Sequence, residues 1–324
     1  MPVLSLADVY RARRRIEGRV THTPLLASAS LSRIAGTEVY LKLETVQPTG
    51  SFKLRGATNA LGDLAERGIR KVVTASTGNH GRAIAYAARA LGMEAAVCMS
   101  ALVPKNKVDA VTALGARVVI AGRSQDEAQV EALRLATEEG FAFVPPFDNL
   151  NVIAGQATIG LEIMESLPDT ACIVVPLSGG GLFSGVAFAA KRIRPNVAMI
   201  GVTMERGAAM HASLAAGRPV LVDEVETLAD SLGGGIGLDN EHTFALTKEL
   251  VDSVVLLDEA SIARGIVHAY CEERLVIEGA AAVGIAALLD GRVERNNGEH
   301  GPVVLVISGV NIDIGVHRRL ILEA

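Results

Sequence analysis

Cysteine, runs of one charge and long apolar stretches are all scarce in this chain. Its three cysteines, Cys98, Cys172 and Cys271, are odd in number and widely separated. That pattern favours buried thiols in a reducing cytoplasm over a disulfide framework or a metal site. Basic residues number 31 against 36 acidic ones, a formal charge of −5, and they are spread along the chain. Such a balance excludes the basic stripe that a nucleic-acid partner needs. The densest basic group, Arg11-Ala12-Arg13-Arg14-Arg15, reads as the polar face of an N-terminal helix. No apolar stretch is long enough to span a bilayer, and the N-terminus lacks the basic-then-apolar pattern of a secretory signal. A cytoplasmic protein with no membrane partner is expected. Internal repeats and low-complexity segments are missing as well.

What the chain does have is core-forming material. Hydrophobic residues make up 49% of 324 positions, enough for one large α/β domain or two smaller ones. Strand-like runs at 71–75, 94–99, 117–121 and 141–144 alternate with helix-period stretches at 81–91, 106–114 and 124–139. Pro145-Pro146 ends that series. A second series of strands falls at 171–177, 198–204, 254–257 and 303–307, separated by Ala-rich helices. Its last strand needs partners in the sheet of the first. This reading assigns residues 1–70 and 146–324 to a large domain and residues 71–145 to a small four-stranded α/β domain inserted in it. Ligands of such open parallel sheets lie beyond the carboxyl ends of the strands, so the loops there are where chemistry is sought.

Five of those loops carry unusual clusters. The first, Pro48-Thr49-Gly50-Ser51-Phe52-Lys53-Leu54-Arg55-Gly56-Ala57, follows a strand-like run at 39–44. A lysine there faces the crevice from a helix start, where burial and the helix dipole disfavour its protonated form, as a Schiff-base lysine requires. A snorkelling surface lysine is the plain alternative. The second is Thr74-Ala75-Ser76-Thr77-Gly78-Asn79-His80-Gly81. Ser76, Thr77, Asn79 and the N–H groups of the following helix suit a carboxylate, or else they simply cap that helix. His80 reads as orienting the loop. The third, Ser178-Gly179-Gly180-Gly181-Leu182, precedes a helix at 182–193. Converging N–H groups and the helix dipole make it a phosphate cup, whereas a tight turn would need one glycine. The fourth, Gly233-Gly234-Gly235-Ile236-Gly237, suits close approach of backbone to a flat ligand, or a flexible loop. In the fifth, Ser308-Gly309-Val310-Asn311, Ser308 either meets a ligand's ring nitrogen or makes a turn. A competing reading takes Gly179, Gly181 and Gly185 as a nicotinamide-binding spacing with Glu205 on the ribose, but it leaves Lys53 and the Asn79 loop without roles.

Taken in order, these loops resemble those of fold-type II pyridoxal-phosphate enzymes of the threonine dehydratase and serine racemase family, over nearly the whole chain. Thr45-Val46-Gln47-Pro48-Thr49-Gly50, Met204-Glu205-Arg206-Gly207-Ala208-Ala209-Met210 and the segment 231–240 are most similar to the hydroxyectoine-utilisation dehydratases. The resemblance implies a tryptophan synthase β-like α/β fold, with two open parallel-sheet domains and pyridoxal 5'-phosphate in the cleft between them. It implies that Lys53 bonds the cofactor aldehyde and that Phe52 shapes the pocket. Asn79 would bind the ring hydroxyl. Ser178, Gly179, Gly180, Gly181 and Leu182 would hold the phosphate, Gly234 would lie against the cofactor, and Ser308 would face the pyridine nitrogen. Ser76, Thr77, Gly78, Asn79 and His80 would hold the substrate carboxylate, with Thr77 the second acid/base group at a position where serine racemases carry serine. A serine hydroxyl leaves the ring largely neutral, which favours elimination over chemistry needing a long-lived carbanion.

The family's acidic position after the strand that follows the phosphate loop is Thr203 here, and its second carboxylate falls near Ala209, so no metal is expected unless Glu205 restores one. The leading expectation is a dehydratase of a hydroxylated amino acid or ectoine-type solute, in hydroxyectoine utilisation. The alternatives are a catabolic L-serine/L-threonine ammonia-lyase with serine racemase activity, a nicotinamide-dependent oxidoreductase, and a binding protein that kept the fold. Relatives imply a homodimer or homotetramer.

Overall fold

The computed structural model describes residues 4–76, 78–103, 105–294 and 301–324. The chain opens with α1 (Leu6–Ile16), β1 (Leu25–Ala27), α2 (Ala29–Ala35) and β2 (Val39–Leu43). Next come α3 (Lys53–Glu66), β3 (Lys71–Ala75), α4 (Asn79–Ala90), β4 (Glu94–Met99), α5 (Lys105–Ala113) and β5 (Arg117–Ile120). They are followed by α6 (Gln125–Glu138), β6 (Ala142–Phe143), α7 (Leu150–Ser166), β7 (Cys172–Pro176), α8 (Gly181–Ile193) and β8 (Ala198–Met204). The chain then runs through α9 (Ala209–Ala216), α10 (Thr243–Leu250), β9 (Ser253–Leu257), α11 (Glu259–Cys271), α12 (Gly279–Leu289), β10 (Val303–Ile307) and α13 (Ile314–Leu322).

Local chemistry explains many of these boundaries. Ser5 and Asp8 form a reciprocal capping box at the start of α1, and Ser124 and Glu127 do the same for α6. Asp258 and Asp313 cap α11 and α13, and Gly36 ends α2 in the left-handed conformation. β7 and β8 are apolar and buried along their whole length, as strands covered on both faces must be. Among the described residues no helix is long and apolar enough to cross a membrane.

Two compact units emerge. One comprises residues 1–21, 47–49 and 53–156; the other comprises 22–46, 50–52 and 157–324. The first is built on a parallel sheet of order β5-β4-β3-β6. Chain order runs from β3 outward to β4 and β5, while β6 returns to the opposite side of β3. The carboxyl ends of β3 and β6 therefore flank a point where strand order reverses, the usual ligand position in an open parallel sheet. The second unit has a six-stranded sheet of order β1-β2-β10-β7-β8-β9, parallel except for β1. There the reversal lies between β7 and β10. Helix α12, apolar on all sides, packs across β7, β8, β9 and β10.

Residues 1–21, 47–49, 53–70 and 146–156, placed by the sequence reading in the large domain, group instead with the four-stranded sheet. The reason is packing: α3 lies against α4, and α1 against α3. Arg15 of α1 reinforces that contact through Glu66 at 2.7 Å and the Asn59 side chain at 2.8 Å. Strand β1 gave no signal in the sequence. It is a three-residue edge strand, mostly exposed, which pairs antiparallel to β2. Helix α4 starts at Asn79, earlier than the expected 81, and so takes in both Asn79 and His80. Cys98 and Cys172 are buried as expected, and burial pushes the Cys98 thiol up to about 11. Cys271 is exposed.

Candidate active site

In the four-stranded unit the reactive side chains gather at the β3/β6 edge. Lys53 opens α3, and its Nζ donates to the Pro146 carbonyl at 2.8 Å. Helix α3 is pinned by a close crossing with α7. A Cβ at Gly155 would stand 2.6 Å from both the Arg55 carbonyl oxygen and the Gly56 Cα, so the glycine is obligatory there. The Asn59 side chain also donates to the Asn151 carbonyl at 2.7 Å. This anchoring explains why the lysine is followed by Leu54-Arg55-Gly56: the helix presenting Lys53 cannot slide.

His80 is 2% exposed, and its Nε2–H donates to the Val144 carbonyl at 3.1 Å. Burial first, and then the nearby Lys53 charge, lower its pKa to about 3, so the ring is neutral at physiological pH. His80 and Lys53 thus grip the same Val144-Pro145-Pro146 segment from two sides. The Nδ1 atom is buried and has no hydrogen-bond partner among the described residues. Ser76 follows β3, and its Oγ accepts the Gly78 N–H at 3.4 Å. Gly78 is the N-cap of α4, with no side-chain cap bond. Asn79 is 8% exposed. Thr77 lies outside the described residues.

The six-stranded unit, taken by itself, carries two neighbouring loops. Because β10 and β7 pair in parallel, Ser308 and the 178–181 loop leave the sheet at the same edge. Gly180 has φ +86° and ψ −12°, and it is the N-cap of α8 with no side-chain cap bond. A left-handed residue here turns the chain so that the N–H groups of 181–183 point out of the helix end, unsatisfied within it. Leu182, at 6% exposure, sits in that first turn. The carbonyl of Ser308, a residue only 2% exposed, accepts the Phe52 N–H at 3.1 Å, and Ser51 bridges Gly309. Gly234 has φ +92° and open space where a Cβ would be, so backbone conformation alone calls for glycine there.

The sequence reading missed two contributors. Glu278, 2% exposed, donates its N–H to the Gly309 carbonyl at 3.1 Å and sits directly before α12. In sequence it looks like any acidic helix start. The Ser51 hydroxyl is fully buried and has no hydrogen-bond partner among the described residues. It was quoted within its motif but given no role.

Residues 16–309 match the family described as pyridoxal-phosphate dependent enzyme. The chain belongs to that family. A Sinorhizobium fredii protein with the provisional name threonine dehydratase is 57% identical over 98% of this chain and 95% of its own length. The L-threonine ammonia-lyase of Thermotoga maritima is 42% identical over 98% of this chain and 78% of its own. Among solved structures, maize serine racemase superposes with a TM-score of 0.92 at 30% identity, covering 99% of this chain and 98% of that one. This pyridoxal-phosphate enzyme is therefore a fold-type II, threonine dehydratase-like lyase. The nicotinamide reading of Gly179, Gly181 and Gly185 falls with that finding. The residues also fit the cofactor on their own terms. The uncapped start of α8 suits a phosphate, and the orphaned Ser51 hydroxyl beside the Ser308 loop is a polar atom awaiting a partner.

Proposed function

We propose that the protein is an L-serine/L-threonine ammonia-lyase, which eliminates water from the hydroxy amino acid to give an enamine, and the enamine takes up water again to yield a keto acid and ammonia. The observation that carries this reading is Lys53, held at the head of α3 by the Pro146 carbonyl. The similarity to an L-threonine ammonia-lyase over 98% of the chain supports the substrate class.

Pyridoxal phosphate, when bound, draws electron density from the substrate's α-carbon and so acidifies its proton. Lys53 would bond the cofactor aldehyde at rest, and with substrate bound its neutral Nζ would take the α-proton while the β-hydroxyl, protonated in turn, leaves as water. Ser76, Thr77 and the N–H groups at the start of α4 hold the substrate carboxylate, Asn79 holds the ring hydroxyl, and Phe52 lines the pocket. Ser178 and the N–H groups of Gly179 to Leu182 hold the phosphate. Ser308 faces the ring nitrogen as a neutral partner, which suits elimination. Location in the cytoplasm belongs to the same proposal, supported by three cysteines that are all free. So does assembly as a homodimer or homotetramer.

A second reading, dehydration of a hydroxyectoine-derived substrate, rests on the segments 45–50, 204–210 and 231–240. The named relatives favour the amino-acid reading over it. Turnover of L-threonine, L-serine, 3-hydroxyaspartate and hydroxyectoine derivatives, read as keto acid plus ammonia, separates the two. Threonine or serine should be the best substrate. Turnover of hydroxyectoine derivatives alone would replace the proposal with the second reading.

A further inference from the structure

Helix α10 has no part in the roles assigned above, yet polar contacts join it and the segment 233–237 to the glycine loop. The Asn240 Nδ2 donates to the Ile236 carbonyl at 3.0 Å and to the Thr243 Oγ1 at 2.8 Å, and its Oδ1 accepts the Phe244 N–H at 2.8 Å. One residue thereby fixes the end of the glycine-rich segment and the first turn of α10. The Ser184 Oγ then donates to the Thr243 carbonyl at 3.3 Å and lies 3.1 Å from the Thr247 Oγ1. Ser184 also donates its backbone N–H to the Gly180 carbonyl at 2.7 Å.

The contact with Gly180 is close. A Cβ placed on it would stand 2.8 Å from the Met210 Cε, 2.9 Å from the Thr247 Oγ1 and 3.0 Å from the Thr243 Cβ. Ser184, Thr243 and Thr247 are each 0% exposed, so none of them can itself touch a ligand. Their effect must pass through the backbone of Gly180. That backbone sets the direction of the free N–H groups at the start of α8.

We propose that Thr247, Ser184 and Asn240 are positioning residues for the phosphate cup, locking Gly180 in the left-handed conformation that aims the N–H groups of 181–183 at one anion. The inference rests on the assignment of 178–182 as the phosphate loop. Thr247→Val keeps the volume and removes the hydroxyl that meets Ser184. Fixed backbone donors lose strength when their direction is no longer held, because hydrogen bonds weaken steeply off axis.

The test compares two ligands on the apoprotein: pyridoxal phosphate, and pyridoxal, which lacks the phosphate. Dissociation constants are read from visible absorbance for Thr247→Val, Thr247→Ser, Asn240→Ala and Gly180→Ala. Thr247→Val and Asn240→Ala should each weaken pyridoxal phosphate by roughly three- to ten-fold, the range of one lost hydrogen bond. Pyridoxal affinity should change less than about two-fold, and Thr247→Ser should restore the parental value. Equal weakening of both ligands would mark a general packing effect and overturn the proposal. A phosphate-specific loss in Gly180→Ala alone would also overturn it while leaving the cup in place. No phosphate-specific loss even in Gly180→Ala would remove the cup assignment and the proposal together. If Thr247→Val does not fold, Asn240→Ala decides by the same comparison.

Discussion

The four-stranded and six-stranded units both place their distinctive residues beyond the carboxyl ends of parallel strands where strand order reverses, but they use different atoms. The four-stranded unit offers side chains: the Lys53 amine, the Asn79 amide and the His80 ring. The six-stranded unit offers mainly backbone: the N–H groups after Gly180 and the Ser308 loop held to Phe52. The Lys53 amine donates at 2.8 Å to the neutral Pro146 carbonyl, and the proposed proton transfer requires it to leave that partner. Gly180, by contrast, is enclosed by Met210, Thr243 and Thr247 within about 3 Å of where its Cβ would be. On the proposed assignment, the side chains of one unit serve the chemistry and the backbone of the other serves retention of the cofactor.

The most severe way to break that division is Lys53→Ala. Turnover of threonine should fall by at least about a thousand-fold, the scale of a lost acid/base and covalent group. Borohydride reduction should no longer fix the cofactor to the chain, whereas retained labelling would move the chemistry to another lysine. Gly180→Ala comes next. It forces a side chain into left-handed backbone, at a cost of about 1–2 kcal/mol, besides its collision with Met210 and Thr247. Cofactor affinity should drop by more than about ten-fold, while kcat at saturating cofactor stays within about two-fold of the parent. A fall in kcat of the same size would erase the distinction between the units.

His80 sharpens the comparison through pH. Its folded-state pKa of about 3 lies below the unfolded value near 6.5, so the unfolded chain binds the extra proton first. Stability from the neutral buried ring is present above about pH 6.5 and is lost progressively toward pH 3. Between pH 7 and pH 5 the loss is about 2 kcal/mol. Urea titrations at the two pH values should show that slope in the parent and a flatter one in His80→Asn. An equal slope in both would mean that His80 is not the group responsible. The smallest effect belongs far from either edge. Arg134 on α6 pairs with Glu131 and Glu138 at an exposed surface, and Arg134→Ala should leave cofactor affinity and turnover unchanged.

Several of these roles were legible in the sequence because they are local. Ser178 to Leu182 directly join a buried strand to a helix, and a triple glycine there has few structural reasons to exist. Lys53 stood out through its neighbours, and the helix-period stretch at 124–139 matches α6 to within one residue at each end. The start of α4 was misjudged because Asn79, a residue type that favours caps, lies inside the helix while Gly78 does the capping. Glu278 and Thr247 were invisible as site residues. Their partners, Gly309 and Gly180, lie far away along the chain, and neither residue type is unusual where it stands.

By itself the sequence determined the alternation of strands and helices, the lysine at a helix head, and the glycine loops at strand ends, since each follows from side-chain pattern over a few neighbouring residues. Only the tertiary structure decided that α1 and α3 pack with the four-stranded sheet, that a carbonyl from beyond β6 tethers Lys53, and that α10 backs Gly180. Those outcomes depend on which buried surfaces meet after the chain has crossed over itself. Contact between distant segments is a property of packing, and no short stretch of residues carries it.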